Sequence, residues 1–174
     1  MTGLACRCGA CRLVLTGPPI LAADCCCDSC RKAAQRLESL PGGQPMLGPQ
    51  GQTGFVLYRK DRVALPAPAQ MRGHRLRPGA PTRRVVAACC NTPLFLEFQN
   101  GHWLSLYANL WPPGSAPAPQ LRTMVKDLPD PSALPDDIPN ARTQSAGFMW
   151  ALLKAWAAMG FRAPKLDIAE AADG

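Results

Sequence analysis

The stretch DCCCDSC, residues 24 to 30, puts four thiols, Cys25, Cys26, Cys27 and Cys30, within six residues. Such a stretch can be a disulfide knot, a redox pair, a metal site or an accident of composition. Disulfides fit poorly. Bridges between sequence neighbours are strained, and an odd total of nine cysteines cannot pair completely within the chain. At 174 residues the chain can bury an ordinary hydrophobic core without covalent staples. The first residues, MTGLACRCGACRLVL, lack a charged segment followed by an apolar run and a cleavage site. No window offers the roughly 18 continuous apolar residues of a membrane span. The expected compartment is the cytoplasm, where thiols stay reduced and clustered cysteines bind metal or do chemistry.

Metal suits the spacing. In an extended stretch Cys25 and Cys27 point to one side and Cys26 to the other. A turn at Asp28-Ser29 returns Cys30 to the first side, so three thiolates converge with Cys26 as a bystander. Soft sulfur ligands at tetrahedral angles suit zinc. A redox pair of Cys27 and Cys30 is the competing reading, and Cys25 at ligand spacing weighs against it. A second group begins with CRCG, where Cys6 and Cys8 share a side and Gly9 permits a tight turn. Far along the chain, AACCNTPLF supplies Cys89 and Cys90, either of which can join Cys6 and Cys8 on a second zinc. Cys90 is the favoured ligand, and Cys89, Cys11 and a water remain open for the fourth place. Cys11 occupies a strand position and reads as core.

Taken together and in order, CRCGACRLVL, CCCDSCRK and RRVVAACCNTPLFLEF resemble the glutathione-dependent formaldehyde-activating enzymes, a family that includes the centromere protein V-like domains. The resemblance covers about residues 3 to 107. It implies a small, mainly β, twisted-sheet domain of the Mss4-like type with up to two zinc ions. Cys6, Cys8 and the late pair Cys89-Cys90 would hold a structural zinc. Cys25, Cys27 and Cys30 would hold a catalytic zinc with an open position. The implied partners are a small thiol such as glutathione and a small aldehyde, joined by a carbon–sulfur lyase-type activity. Two positions depart from the family pattern. Ala87 stands where the first cysteine of a late C-x-x-C belongs, and Asn91 stands where glycine follows it.

The rest of residues 1–107 agrees with a β domain. CRLVLTG reads as a strand, GFVLYRKDRVALP as two strands about a polar turn, and RRVVAACC with PLFLEFQNGHWLSLY as further strands split by a QNG turn. DSCRKAAQRLESL reads as a helix with Ala34, Leu37 and Leu40 on one face. Residues 108–142 differ: eight prolines between 112 and 139 forbid most regular structure, leaving a segment that wraps the core or links from it. Residues 143–174 hold a helix capped by Thr143 or Ser145 and ended by Gly160, with Phe148, Leu152, Trp156 and Met159 on one face and Met149 and Leu153 widening the stripe. That helix is expected to dock on the core or on a second subunit, with a substrate lid or a membrane-surface helix as the alternatives.

The net charge is +7, and Arg72, His74, Arg75, Arg77, Arg83 and Arg84 crowd into thirteen residues. A run of this kind reads first as a solvated basic loop. It also offers arginine forks, of which Arg72, Arg75 and Arg77 are the candidates for the carboxylates of a ligand such as glutathione. The alternative function is a non-catalytic zinc module that binds nucleic acid or protein through this run. Aromatic residues make up 6% of the chain and none interleave with the arginines, so base stacking is poorly supported. His74 and His102, the only histidines, are not at ligand spacing and read as structural.

Overall fold

The computed structural model describes residues 1–171. Ten strands form two sheets. Strands β1 (Thr2–Ala5), β2 (Arg12–Leu15) and β5 (Val63–Ala64) make a small sheet in the order β1-β2-β5. The larger sheet contains β3 (Leu21–Cys25), β4 (Thr53–Arg59), β6 (Met71–His74), β7 (Thr82–Ala87), β8 (Pro93–Phe98), β9 (Trp103–Tyr107) and β10 (Arg122–Thr123), in the order β10-β3-β4-β9-β8-β7-β6. Two helices complete it, α1 (Asp28–Glu38) and α2 (Ala146–Ala158). The protein is therefore mainly β with a C-terminal helix. No helix among the described residues is long and apolar enough to cross a membrane.

The larger sheet is covered on both faces, which explains why its strands read as nearly continuous apolar runs. Period-two alternation sorts the side chains. Val56, Val85, Phe95, Leu104 and Leu106 point to the side where Leu4, Cys11, Leu13 and Leu15 of the small sheet pack. Phe55, Leu57, Val86, Leu96 and Tyr107 point to the opposite side, against Cys30, Ala34 and Leu37 of α1 and Leu152 of α2. The fold is three layers deep, with the cysteine groups at its margins.

The proline-rich segment wraps the core. Its residues 122–123 pair in parallel with Asp24 and Cys25, so β10 closes the β3 edge of the sheet. Val125, Leu128 and Leu134 form a separate apolar cluster around Cys26. The basic run of 72–84 is a hairpin: Arg72 and His74 lie on β6, Arg83 and Arg84 on β7, and Arg75 and Arg77 in the loop between them. In it β6 and β7 pair antiparallel from Met71↔Ala87 to His74↔Arg84. The alternation leaves Arg72 exposed and carries Arg84 inward to 2% exposure.

α2 starts at Ser145, whose hydroxyl accepts the Phe148 N–H at 3.1 Å, and ends before Gly160 at φ +62°. Its inward face is Leu152, Ala155 and Met159, with Phe148 partly buried. Trp156 was expected on that face. It lies at the rim instead, 38% exposed and stacked on the His102 ring with centroids 5.6 Å apart. Met149, Trp150 and Leu153 face outward. Leu40 lies beyond the end of α1 and is only partly buried.

Candidate metal centres and the cavities beside them

Two groups of cysteines could hold a metal ion: Cys6, Cys8, Cys89 and Cys90, and separately Cys25, Cys27 and Cys30. Within each, the sulfurs lie within 4.8 Å of one another.

The first group is built from two turns. Between β1 and β2 the chain reverses at Cys6–Cys11, with the Gly9 N–H on the Cys6 carbonyl at 2.8 Å and Gly9 at φ +79°. The same reversal aims the Cys11 N–H at the Cys6 sulfur, 3.2 Å away. After β7 a turn brings the Asn91 N–H to the Ala87 carbonyl at 2.9 Å. Both Cys89 and Cys90 reach the site. Cys89 Sγ is 3.6 Å from that of Cys6, 3.3 Å from that of Cys8 and 3.7 Å from that of Cys90. Cys6 and Cys8 are 3.5 Å apart. Burial raises the Cys90 thiol, but the Thr92 hydroxyl and the Cys8 and Thr92 backbone amides outweigh it and bring it down to about 6. Cys11 is not in the group. It is fully buried in the core, and that burial raises its thiol to about 11.

The second group sits where β3 runs into α1. Cys27 is the N-cap of α1, and its sulfur accepts the Cys30 N–H at 3.3 Å. Cys25 lies 3.5 Å away and donates its thiol hydrogen to the same sulfur. These thiol bonds first, then the amides of the helix start, hold Cys27 well below the ordinary thiol range, as expected for a thiolate at a helix N-terminus. Cys25 is raised to about 11 and Cys30 is raised too, because each gives its proton to a neighbour in the group. Cys26 points the opposite way and is fully buried.

All three triad cysteines line a cavity of about 600 Å³ whose wall also carries Lys32, Arg77 and Arg84. Of the three arginines singled out from sequence, Arg77 lies here. Arg75 is turned away, bonded to Glu170 at 3.0 Å and to the Ala80 carbonyl, and Arg72 lies exposed on the edge strand β6. Arg84 was the less obvious residue. Its Nη2 donates to the Ser29 hydroxyl at 2.8 Å and its Nη1 to Thr82 at 2.9 Å, while its Nε has no partner. Among the described residues no carboxylate pairs with it. A buried guanidinium without a carboxylate stands beside three sulfurs, and only the β6–β7 register put it there.

A second cavity, about 330 Å³, lies between the larger sheet and α2 and is lined by Phe55, Leu57, Trp103, Phe148 and Leu152, with Cys25 at one side. Nothing in the sequence pointed to it, since its walls come from six separate elements, β3, β4, β8, β9, β10 and α2. A scan against protein-family models gives no match for this chain, and no curated protein matches it.

Proposed function

We propose that the protein is a zinc-dependent catalyst of thiol addition to a small aldehyde, similar in chemistry and in its Mss4-like architecture to the formaldehyde-activating enzymes that its cysteine motifs resemble. The observation that carries this reading is that Cys25, Cys27 and Cys30 form three converging sulfur ligands on the wall of a 600 Å³ cavity.

The sulfur spacings support zinc. Tetrahedral zinc with Zn–S bonds of about 2.3 Å sets its sulfurs roughly 3.8 Å apart. The observed separations of 3.3 to 3.7 Å need only a small expansion. Four cysteines make Cys6, Cys8, Cys89 and Cys90 a closed, structural set. Three cysteines facing a cavity make the triad an open one. Bound there, zinc would supply Lewis-acid polarisation and favour the thiolate form of an incoming thiol.

The chain's own groups do the rest. The Cys27 thiolate carries negative charge to the cavity wall, joined by Cys25 and Cys30 were zinc bound, and Arg84 offsets it with a fixed, buried positive charge. Lys32 and Arg77, both exposed at the cavity, attract the carboxylates of a thiol such as glutathione. In the reaction the thiol sulfur bonds to the aldehyde carbon, and the thiol proton ends on the former carbonyl oxygen. With glutathione and formaldehyde the product is S-hydroxymethylglutathione.

Exchange NMR of a glutathione and formaldehyde mixture measures the rate directly. Zinc-loaded protein is expected to raise it, and Cys27→Ser to return it to background. An unchanged rate with several thiols, together with DNA or RNA binding that collapses on adding salt, would move the assignment to a non-catalytic zinc module.

A further inference from the structure

The triad borders two cavities of opposite character. Lys32, Arg77 and Arg84 give the larger one three cations against a single carboxylate, Asp28, which pairs with Arg31. The 330 Å³ cavity has no charged residue in its lining, and aromatic rings from β4, β9 and α2 dominate it. Cys25, Phe98 and Gln144 line both, so the two meet at the candidate metal centre. A bond-forming addition has two reactants, and each cavity suits one of them.

We propose that the apolar cavity receives the organic group of the carbonyl substrate, so that the aldehyde acted on carries an aryl or extended alkyl substituent, while the anionic thiol occupies the cationic side. This inference rests on the proposed function and specifies its substrate class. A solvent-open hollow walled by apolar side chains beside reactive sulfurs has the form of a ligand cleft. A cavity of about 150 Å³ lined by Leu, Ile and Phe holds benzene. This one is roughly twice that, enough for a bicyclic ring. Formaldehyde has no apolar group to place there. Phe55, Trp103 and Phe148 present ring faces and edges suited to an aromatic guest, and Met149 at the rim adapts to its outline. The bond made is the same sulfur–carbon bond, with the thiol proton passing to the carbonyl oxygen.

The test uses zinc-loaded full-length protein and two readouts. Rates of hemithioacetal formation from glutathione are compared for 2-naphthaldehyde and formaldehyde. Binding of the unreactive 2-naphthalenemethanol is measured by calorimetry. Wild type is expected to accelerate the naphthaldehyde reaction by at least about tenfold more than the formaldehyde one, the scale on which apolar pockets discriminate. Ser105→Leu, which fills the cavity from β9, should remove that preference and the alcohol's binding. Phe148→Ala, on the surface-facing helix, should weaken the alcohol's binding without filling anything. Acceleration of formaldehyde alone, with no binding of the alcohol, overturns the inference and leaves the proposed function standing. Binding of the alcohol without acceleration for any aldehyde overturns the reaction and retains the cavity's ligand class.

Discussion

At position 87 the chain carries alanine, and a cysteine that could serve as a metal ligand stands two residues later. Ala87 is fully buried in the core at the end of β7, and the turn that follows brings Cys89 and Cys90 into one group. Asn91, where the family pattern has glycine, sits at φ +54°. Asparagine is among the few non-glycine residues that tolerate this region, so it can make the turn. The expected outcome by elemental analysis is two zinc ions per chain. Cys8→Ser, Cys89→Ser and Cys90→Ser should each lose one ion and lower the melting temperature, because this group joins residues about eighty positions apart and ligation contributes folding free energy. Cys25→Ser and Cys27→Ser should lose the other. Retention of both ions by Cys89→Ser would return the fourth position to a water. Cys26 is not a ligand, but pointing away from the triad does not make it freely exchangeable. It is fully buried among Val125, Leu128 and Leu134. Cys26→Ser should cost about 1–3 kcal/mol by burying a hydroxyl without an assured partner, while Cys26→Ala costs less, both at unchanged zinc content.

At the scale of elements, α1 and α2 were legible because their apolar positions recur at helical spacing, and α2 also from the cap at its start and the glycine after its end. The hairpin of β8 and β9 was legible from its turn, where Asn100 takes φ +63°. The strands β6 and β10 were not. One lies in an arginine-rich run and the other among prolines, and each is held by pairing with a distant strand. Docking of α2 has a consequence for pH. His102 is buried, bonds through Nε2 to the Leu152 carbonyl at 2.9 Å, and stacks on Trp156. Burial chiefly, and then Lys60, hold its pKa below 6.5, although the Leu152 carbonyl pulls the other way. The unfolded chain therefore takes up the proton first. The stabilisation is complete above 6.5 and drains away as pH falls from 6.5 through the folded value. Thermal unfolding followed from pH 8 to pH 5 should show a steeper loss for wild type than for His102→Phe. Parallel curves would remove His102 from the account.

For the whole molecule, the C-terminal segment after α2 completes the far edge of the fold. Gly73 on β6 donates its N–H to the Ala169 carbonyl at 2.8 Å and accepts from Ala171 at 2.7 Å. Beneath that segment Glu97 holds two cations, Lys60 at 2.5 Å and Arg83 at 2.6 Å. The remaining donors reach the segment's own carbonyls, Lys60 to Pro164 at 2.9 Å and Arg83 to Leu166 at 2.8 Å. Every partner is satisfied, so breaking one is costly. Glu97→Gln is expected to lower stability by about 3–5 kcal/mol in denaturant unfolding, since it leaves the buried Lys60 ammonium without a carboxylate, while Arg83 keeps Glu170 at 3.5 Å. A loss below about 1 kcal/mol, the scale of an exposed pair, would show that the trio is open to water.

The sequence by itself determined the local features: most of the strands, two helices, the clustering of the cysteines and the convergence of Cys25, Cys27 and Cys30. Each is set by spacing along one stretch of chain, through the periods of strand and helix. It also determined that Cys26 opposes Cys25 and Cys27. Only the tertiary structure decided that Cys89 joins Cys90 at one site, that Arg84 and not Arg75 stands by the triad, and that an apolar cavity opens beside Cys25. These depend on sheet order and register across residues tens of positions apart. Pairing of that kind is selected by the burial of both sheet faces at once, which no single stretch of sequence encodes.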